Sequence, residues 1–185
     1  KRIRLYDVPL GASAERRQQV TRIAQREFFL TSGLSHPGVT APQDFVDDPQ
    51  AGPSLVFAYE PKSIRLDRWL AANQDTLTIE RRLEVLRQMS EILRYAHSRG
   101  VTHRALSPQQ VFVGEAQNGS IRVSVRDWQT GREEPGIDRG TTTPAPTVLL
   151  GTRNLAGMAD TQTWVYLAPE IHTADEPDGV ALDVY

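Results

Sequence analysis

An α+β fold is predicted from three features: an N-terminal segment of alternating polarity, a long helix with one apolar stripe, and two short apolar strands joined by an Asn-Gly turn. Lys1 to Tyr6 alternates as a strand with one buried face does. Ser13 is placed to cap a helix that opens with Glu15, an acid in the first turn. Val20, Ile23, Ala24 and Glu27 recur at helical spacing, which puts a carboxylate on the apolar face. An inward carboxylate needs a cation opposite it. Ser54 to Tyr59 reads as a buried strand, and Leu66, Trp69 and Leu70 as a short helix after it. Ile79, Leu83, Leu86, Met89, Ile92, Leu93 and Ala96 form the stripe of the long helix, with Thr78 as cap and Gly100 as stop. That stripe is read as ordinary core packing. Val111 to Gly114 and Ile121 to Val125 are the two strands, and Asn118-Gly119 is their turn. Residues 130 to 163 are rich in Gly, Pro and Thr around Thr141-Thr142-Thr143-Pro144-Ala145-Pro146. A connection of that length without structure of its own is functional or disordered as a rule, so this stretch is expected to be mobile.

Composition narrows the function classes. A chain of 185 residues with 39% hydrophobic content suffices for one core. The absence of cysteine excludes disulfides and thiolate metal sites, and accords with a cytoplasmic setting. A net charge of −2 leaves no footprint for nucleic acid, and no apolar run reaches the ~20 residues of a membrane-spanning helix. The four histidines do not suggest a metal site.

The most informative run is Val101-Thr102-His103-Arg104-Ala105-Leu106-Ser107-Pro108-Gln109-Gln110-Val111-Phe112-Val113. Asp127-Trp128-Gln129 follows a strand-like segment, Trp164 to Glu170 ends in Ala168-Pro169-Glu170, and Asp183-Val184-Tyr185 comes last. Upstream, Arg26 to Val39 combines a helix end with a His36-Pro37 turn. In this order and at these spacings the five resemble landmarks of the protein kinase superfamily: the N-lobe helix, the catalytic loop His-Arg-Asp-Leu-x-x-x-Asn, the Asp-Phe-Gly motif, Ala-Pro-Glu, and the helix whose Asp braces the catalytic loop.

The resemblance implies a two-lobed fold of the serine/threonine-kinase-like type, with residues 1–60 as a partial N-lobe and 61–185 as a partial, incomplete C-lobe. The activation segment would span 127–170, and the whole would be an excerpt of a longer chain. It also implies a pseudokinase. Ala105 stands where the catalytic Asp belongs, Ser107 in place of the usual Lys, and Gln110 in place of the magnesium-binding Asn. No Asp or Glu lies between His103 and Val113 to take over as base. Gln110 reaches one methylene too far for the near-ideal octahedral geometry that magnesium demands. Asp127 keeps its carboxylate, and two readings stand: a remaining metal ligand, or a cap on the turn at Trp128. Trp128 would fill the slot of the Phe and pin one state, and Gln129 makes a positive φ costly there.

By the same resemblance Lys1, Arg4, Glu27, Phe57, Ala58, Tyr59, Phe112 and Asp127 line the nucleotide pocket. The strand cation facing Glu27 is Arg4 or Lys1, with Arg2 pointing where adenine would pack, and the Phe112 ring would either stack on a base or block it. Thr163 with Ala168, Pro169 and Glu170 would form the substrate platform, Asp183 the structural brace, and Arg104 the partner of a phosphorylated loop residue. No cofactor is expected, ATP and magnesium being the only candidates. The expected partner is another protein or another domain of the same polypeptide. The Ala-Leu-Ser-Pro variant and the Arg-rich composition are similar to kinase-like segments of bacterial phage-defence proteins, including the phage-growth-limitation type, which can carry an active kinase domain elsewhere. The resemblance leaves two rivals to a regulatory pseudokinase: an active but atypical serine/threonine kinase, and a nucleotide sensor without turnover.

Overall fold

The fold is that of a computed structural model describing residues 1–133, 164–173 and 178–184. The Thr141–Thr143 cluster, most of the long connection, Thr163 and Tyr185 lie outside the described residues. Strand β1 (Arg2–Leu5), helix α1 (Ala14–Ser32), β2 (Asp44–Asp48) and β3 (Gly52–Phe57) form the first unit. They build an antiparallel sheet of order β1-β3-β2, with Arg2 opposite Phe57 and Arg4 opposite Leu55. Ser13 caps α1 by accepting the Arg16 N–H at 3.2 Å, as its position before the apolar stripe requires. Tyr6, Val20, Ala24, Leu55 and Phe57 pack between helix and sheet.

The second unit starts with β4 (Ser63–Arg65), α2 (Leu66–Asn73) and α3 (Ile79–Ser98). There follow β5 (Val101–Thr102), β6 (Val111–Glu115), β7 (Ile121–Val125), a 3-10 turn at Trp128–Thr130 and β8 (Arg132–Glu133). Sheet β4-β6-β7 is antiparallel, and β5 pairs with β8. Past the undescribed stretch come a 3-10 turn at Trp164–Tyr166, α4 (Glu170–Thr173) and α5 (Gly179–Val184). These small sheets and helices are those of a truncated two-lobed α+β fold. Among the described residues no helix is long and apolar enough to cross a membrane.

The reading of α3 as uniformly core-facing needs correction. Val85, Ile92 and Ala96 are buried, whereas Ile79, Leu83 and Leu86 are 63%, 57% and 56% exposed. The burial face is centred on the positions meeting β7, and the other three lie on the side of the helix away from it. Thr78 does cap α3, and Gly100 takes a φ of 68°, the left-handed turn that glycine adopts without a Cβ penalty.

One residue joins the two units. Trp128 is fully buried among Leu30, Leu34, Ile92, Val101 and Val125, and its indole N–H donates to the Val125 carbonyl at 3.3 Å. It packs edge-on to His103, with ring centroids 4.9 Å apart. The turn after α1 runs alongside, with the Val125 N–H donating to Gly38 O at 2.7 Å and the Thr40 N–H to Val125 O at 3.0 Å. We predict that Trp128→Ala costs about 3–5 kcal/mol, the usual range for emptying a large aromatic site. Urea unfolding measures it, and a loss below about 1 kcal/mol would mean that the indole does not hold the units together.

Candidate functional site

The cleft between the units is organised by β1, whose alternation sends Arg2, Arg4 and Tyr6 inward and leaves Ile3 and Leu5 exposed. Arg4 Nη1 reaches both Glu27 oxygens, at 2.8 and 2.7 Å, and the Tyr6 hydroxyl donates to Glu27 Oε2 as well. Glu27 is 1% exposed, so the inward carboxylate read from helical spacing has two partners. The other arm of the guanidinium, Nη2, lies against Asp127 Oδ1. One Arg therefore bridges the helix carboxylate and the carboxylate after β7. Lys1 stays exposed ahead of the strand.

Asp127 has φ 64° and ψ 52°, a left-handed backbone that few residues other than Gly adopt and that Asp tolerates. The positive φ therefore sits on Asp127, and the following Gln129 lies in the 3-10 turn. Arg104, in the loop after β5, has φ 70°. The brace for that strained loop is Asp183 on α5. It accepts the His103 N–H at 2.7 Å and the Arg104 N–H at 2.5 Å, and contacts His97 Nε2 at 2.8 Å.

The loop residues themselves are closed in. Ala105 is 5% exposed and packs with Leu167, Ala168, Ile171 and Leu182. Pro169 and Glu170 are exposed beside that cluster. The Ser107 hydroxyl donates to Gln110 Oε1, turning the amide oxygen toward the loop's own side chain. His103 is buried, with Nε2 3.0 Å from Arg126 O, and Thr130 donates to His103 O at 2.8 Å. Asp127, the expected metal ligand, and Gln110, in the place of the magnesium-binding Asn, are thus engaged by Arg4 and Ser107. Among the described residues no group of three or more His, Asp or Glu stands together as a metal set.

Arg126 is the residue that sequence reasoning missed. Its guanidinium carbon stands 3.7 Å from the centroid of Phe112, and Nη2 donates to Glu60 Oε2 at 3.1 Å and Ser63 Oγ at 2.6 Å. It covers one face of that ring. An Arg immediately before Asp127 was the available signal. Above it, Arg2 and Arg4 lie 4.8 and 5.1 Å from the ring centre of buried Phe57. Burial and then Arg4 depress the Arg2 pKa, and burial and then Arg2 depress that of Arg126. Ala58 and Tyr59 follow as an exposed connection.

Comparison with known proteins places this arrangement. Residues 11–128 match the family model described as protein tyrosine and serine/threonine kinase. The chain is 35% identical over 201 aligned residues to the probable kinase PglW of Streptomyces coelicolor, covering all of this chain and 12% of that protein. It is 27% identical over 174 residues to the serine/threonine-protein kinase PknJ of Mycobacterium tuberculosis, covering 86% of this chain and 24% of the relative. A probable CTD kinase subunit alpha homolog of Encephalitozoon cuniculi matches at 25% over 138 residues, 73% of this chain and 40% of that one. The chain thus spans well under half of each relative.

Burial holds the His103 imidazole neutral, below its ordinary pKa of 6.5, against a weaker opposing pull from Asp183. Between the lowered value and 6.5 the unfolded chain binds the extra proton and the folded chain does not, so His103 removes stability as pH falls through about 6.5. Urea unfolding at pH 7.5 and 5.5, compared with His103→Gln, isolates this slope. A wild-type chain that loses no more stability than the variant on acidification would contradict the assignment.

Proposed function

This chain belongs to the protein kinase family, and on that premise we propose a kinase-like module that no longer transfers phosphate and serves a regulatory or scaffolding role in a larger bacterial protein. One observation carries the reading: the position of the catalytic base holds Ala105, a methyl buried against Leu167, Ala168, Ile171 and Leu182. A methyl neither orients a substrate hydroxyl nor accepts its proton, a role worth about 10²–10⁴-fold in rate. The apolar cluster also leaves no room for the hydration that a carboxylate at this position would need.

The cleft supports the same reading. Kinase catalysis is mostly positioning and electrostatics, supplied by metal ions that bridge phosphate oxygens when bound. Here Arg4 ties Glu27 to Asp127, so the alignment of helix and cleft carboxylates needs neither nucleotide nor metal. Arg126 over Phe112 takes the place of a base. Magnesium and ATP are accordingly not cofactors of this module. Its partner is another protein or another segment of the same polypeptide, a proposal supported by the match of the whole chain to 12% of PglW. Cytoplasmic location and membership of a phage-defence system belong to the same proposal.

The module should transfer no phosphate to itself or to generic protein substrates with radiolabelled ATP. Turnover above roughly 10⁻² s⁻¹, against 1–100 s⁻¹ for working kinases, would sink the reading. Ala105→Asp alone should restore nothing, because the cleft stays closed, and it should lower stability.

A thermal titration separates this from a nucleotide sensor without turnover. Ligand at 100 Kd adds about 2.7 kcal/mol to a folded state that alone binds it. We expect no magnesium-dependent rise in Tm with ATP. A rise of several degrees that requires magnesium would favour the sensor and make Asp127 a metal ligand.

A further inference from the structure

Arg2 presents an unanswered fork. Its Nε and Nη2 are buried and have no hydrogen-bond acceptor among the described residues. That edge is the one with which Arg holds two oxygens side by side. The same molecule uses it twice elsewhere: Arg65 holds Asp67 through Nε and Nη2, at 3.0 and 2.5 Å, and Arg87 holds Glu84 at 2.8 and 2.7 Å. Arg2 has the same geometry to offer, and no acceptor among the described residues receives it. Across the cleft Arg126, with its side chain 8% exposed, spends Nη2 on Glu60 and Ser63 and leaves Nε without an acceptor.

A buried donor without an acceptor costs free energy, and a buried charge costs more. Arg4 does not relieve the strain, because its two arms are taken by Glu27 and Asp127. Burial and then the Arg4 charge depress the pKa of Arg2, and burial and then the Arg2 charge depress that of Arg126. Repulsion among these cations is relieved by an anion bound beside them. The aromatic floors, Phe57 and Phe112, are already covered by guanidinium planes, so a flat base gains no ring to stack on.

We infer that the end of the cleft bounded by Arg2, Arg126, Phe57 and Phe112 is an anion site, which takes a phosphate-type oxyanion through the Nε–Nη2 edge of Arg2 and the Nε of Arg126. Recognition is by charge and paired oxygens, not by a nucleoside. The site goes beyond the loss of phosphate transfer and does not depend on it.

Calorimetric titration of the polypeptide as it is naturally made, with pyrophosphate, adenosine and an oligoglutamate in separate runs without magnesium, tests the site. Pyrophosphate should bind below about 1 mM, and adenosine should not bind at about 10 mM. Arg2→Gln and Arg2→Lys should each weaken pyrophosphate by about tenfold or more, the second because an ammonium keeps the charge and loses the fork. A thermal melt of each variant that matches the wild type guards against one that merely misfolds. Pyrophosphate binding unchanged in both variants, absent in the wild type, or weaker than that of adenosine would overturn the site. Tighter binding of oligoglutamate would reassign the anion to a protein carboxylate and overturn the phosphate assignment. Phosphate transfer is read in its own assay, so failure of one claim leaves the other standing.

Discussion

The geometry of the cleft depends on a single guanidinium. Arg4 sits between Glu27 on α1 and Asp127 after β7, and each carboxylate would be a cost without it. Glu27 faces inward because its position on the helical stripe leaves it no other direction, and Tyr6 adds a second donor to it. Asp127 holds a left-handed backbone, a conformation worth about 1–3 kcal/mol of strain for residues in such regions. An ion pair that reaches both groups fixes the helix against the cleft and stabilises that backbone together. Lys would supply one compact charge, whereas the planar fork of Arg serves two acids at once.

The rest of the second unit follows a similar logic. Arg104 carries the other positive φ among the non-glycine residues described, and Asp183 accepts its N–H and that of His103. The frame of this loop is therefore held by backbone hydrogen bonds to one carboxylate, whatever side chains the loop presents. Ala105 has become part of an apolar cluster, and Gln110 is occupied by Ser107.

Periodicity made the helices legible, since Ser13 and Thr78 cap where the apolar spacing starts. It also placed Glu27 inside, but left Arg4 and Lys1 as alternatives for the cation opposite it, and the structure puts Arg4 there. Strand β2 was not legible from its residues, because three of its five are Asp and only its pairing with β3 makes it a strand. The outer stripe of α3 misled for the opposite reason, as apolar spacing marks a face without saying what covers it. Arg126 escaped because its role arises from Phe112, Glu60 and Ser63, which lie up to 66 positions away in sequence. Its place just before Asp127 was the one local signal, and that does not name the distant partners.

The bridge can be measured directly by a double-mutant cycle of Arg4→Met and Asp127→Asn, read as unfolding free energies in urea. The account predicts non-additivity, with the two changes coupled by about 0.5–3 kcal/mol, because each removes half of one interaction. Additive effects, within about 0.3–0.5 kcal/mol, would mean that Arg4 serves Glu27 alone and that Asp127 is free for another ligand.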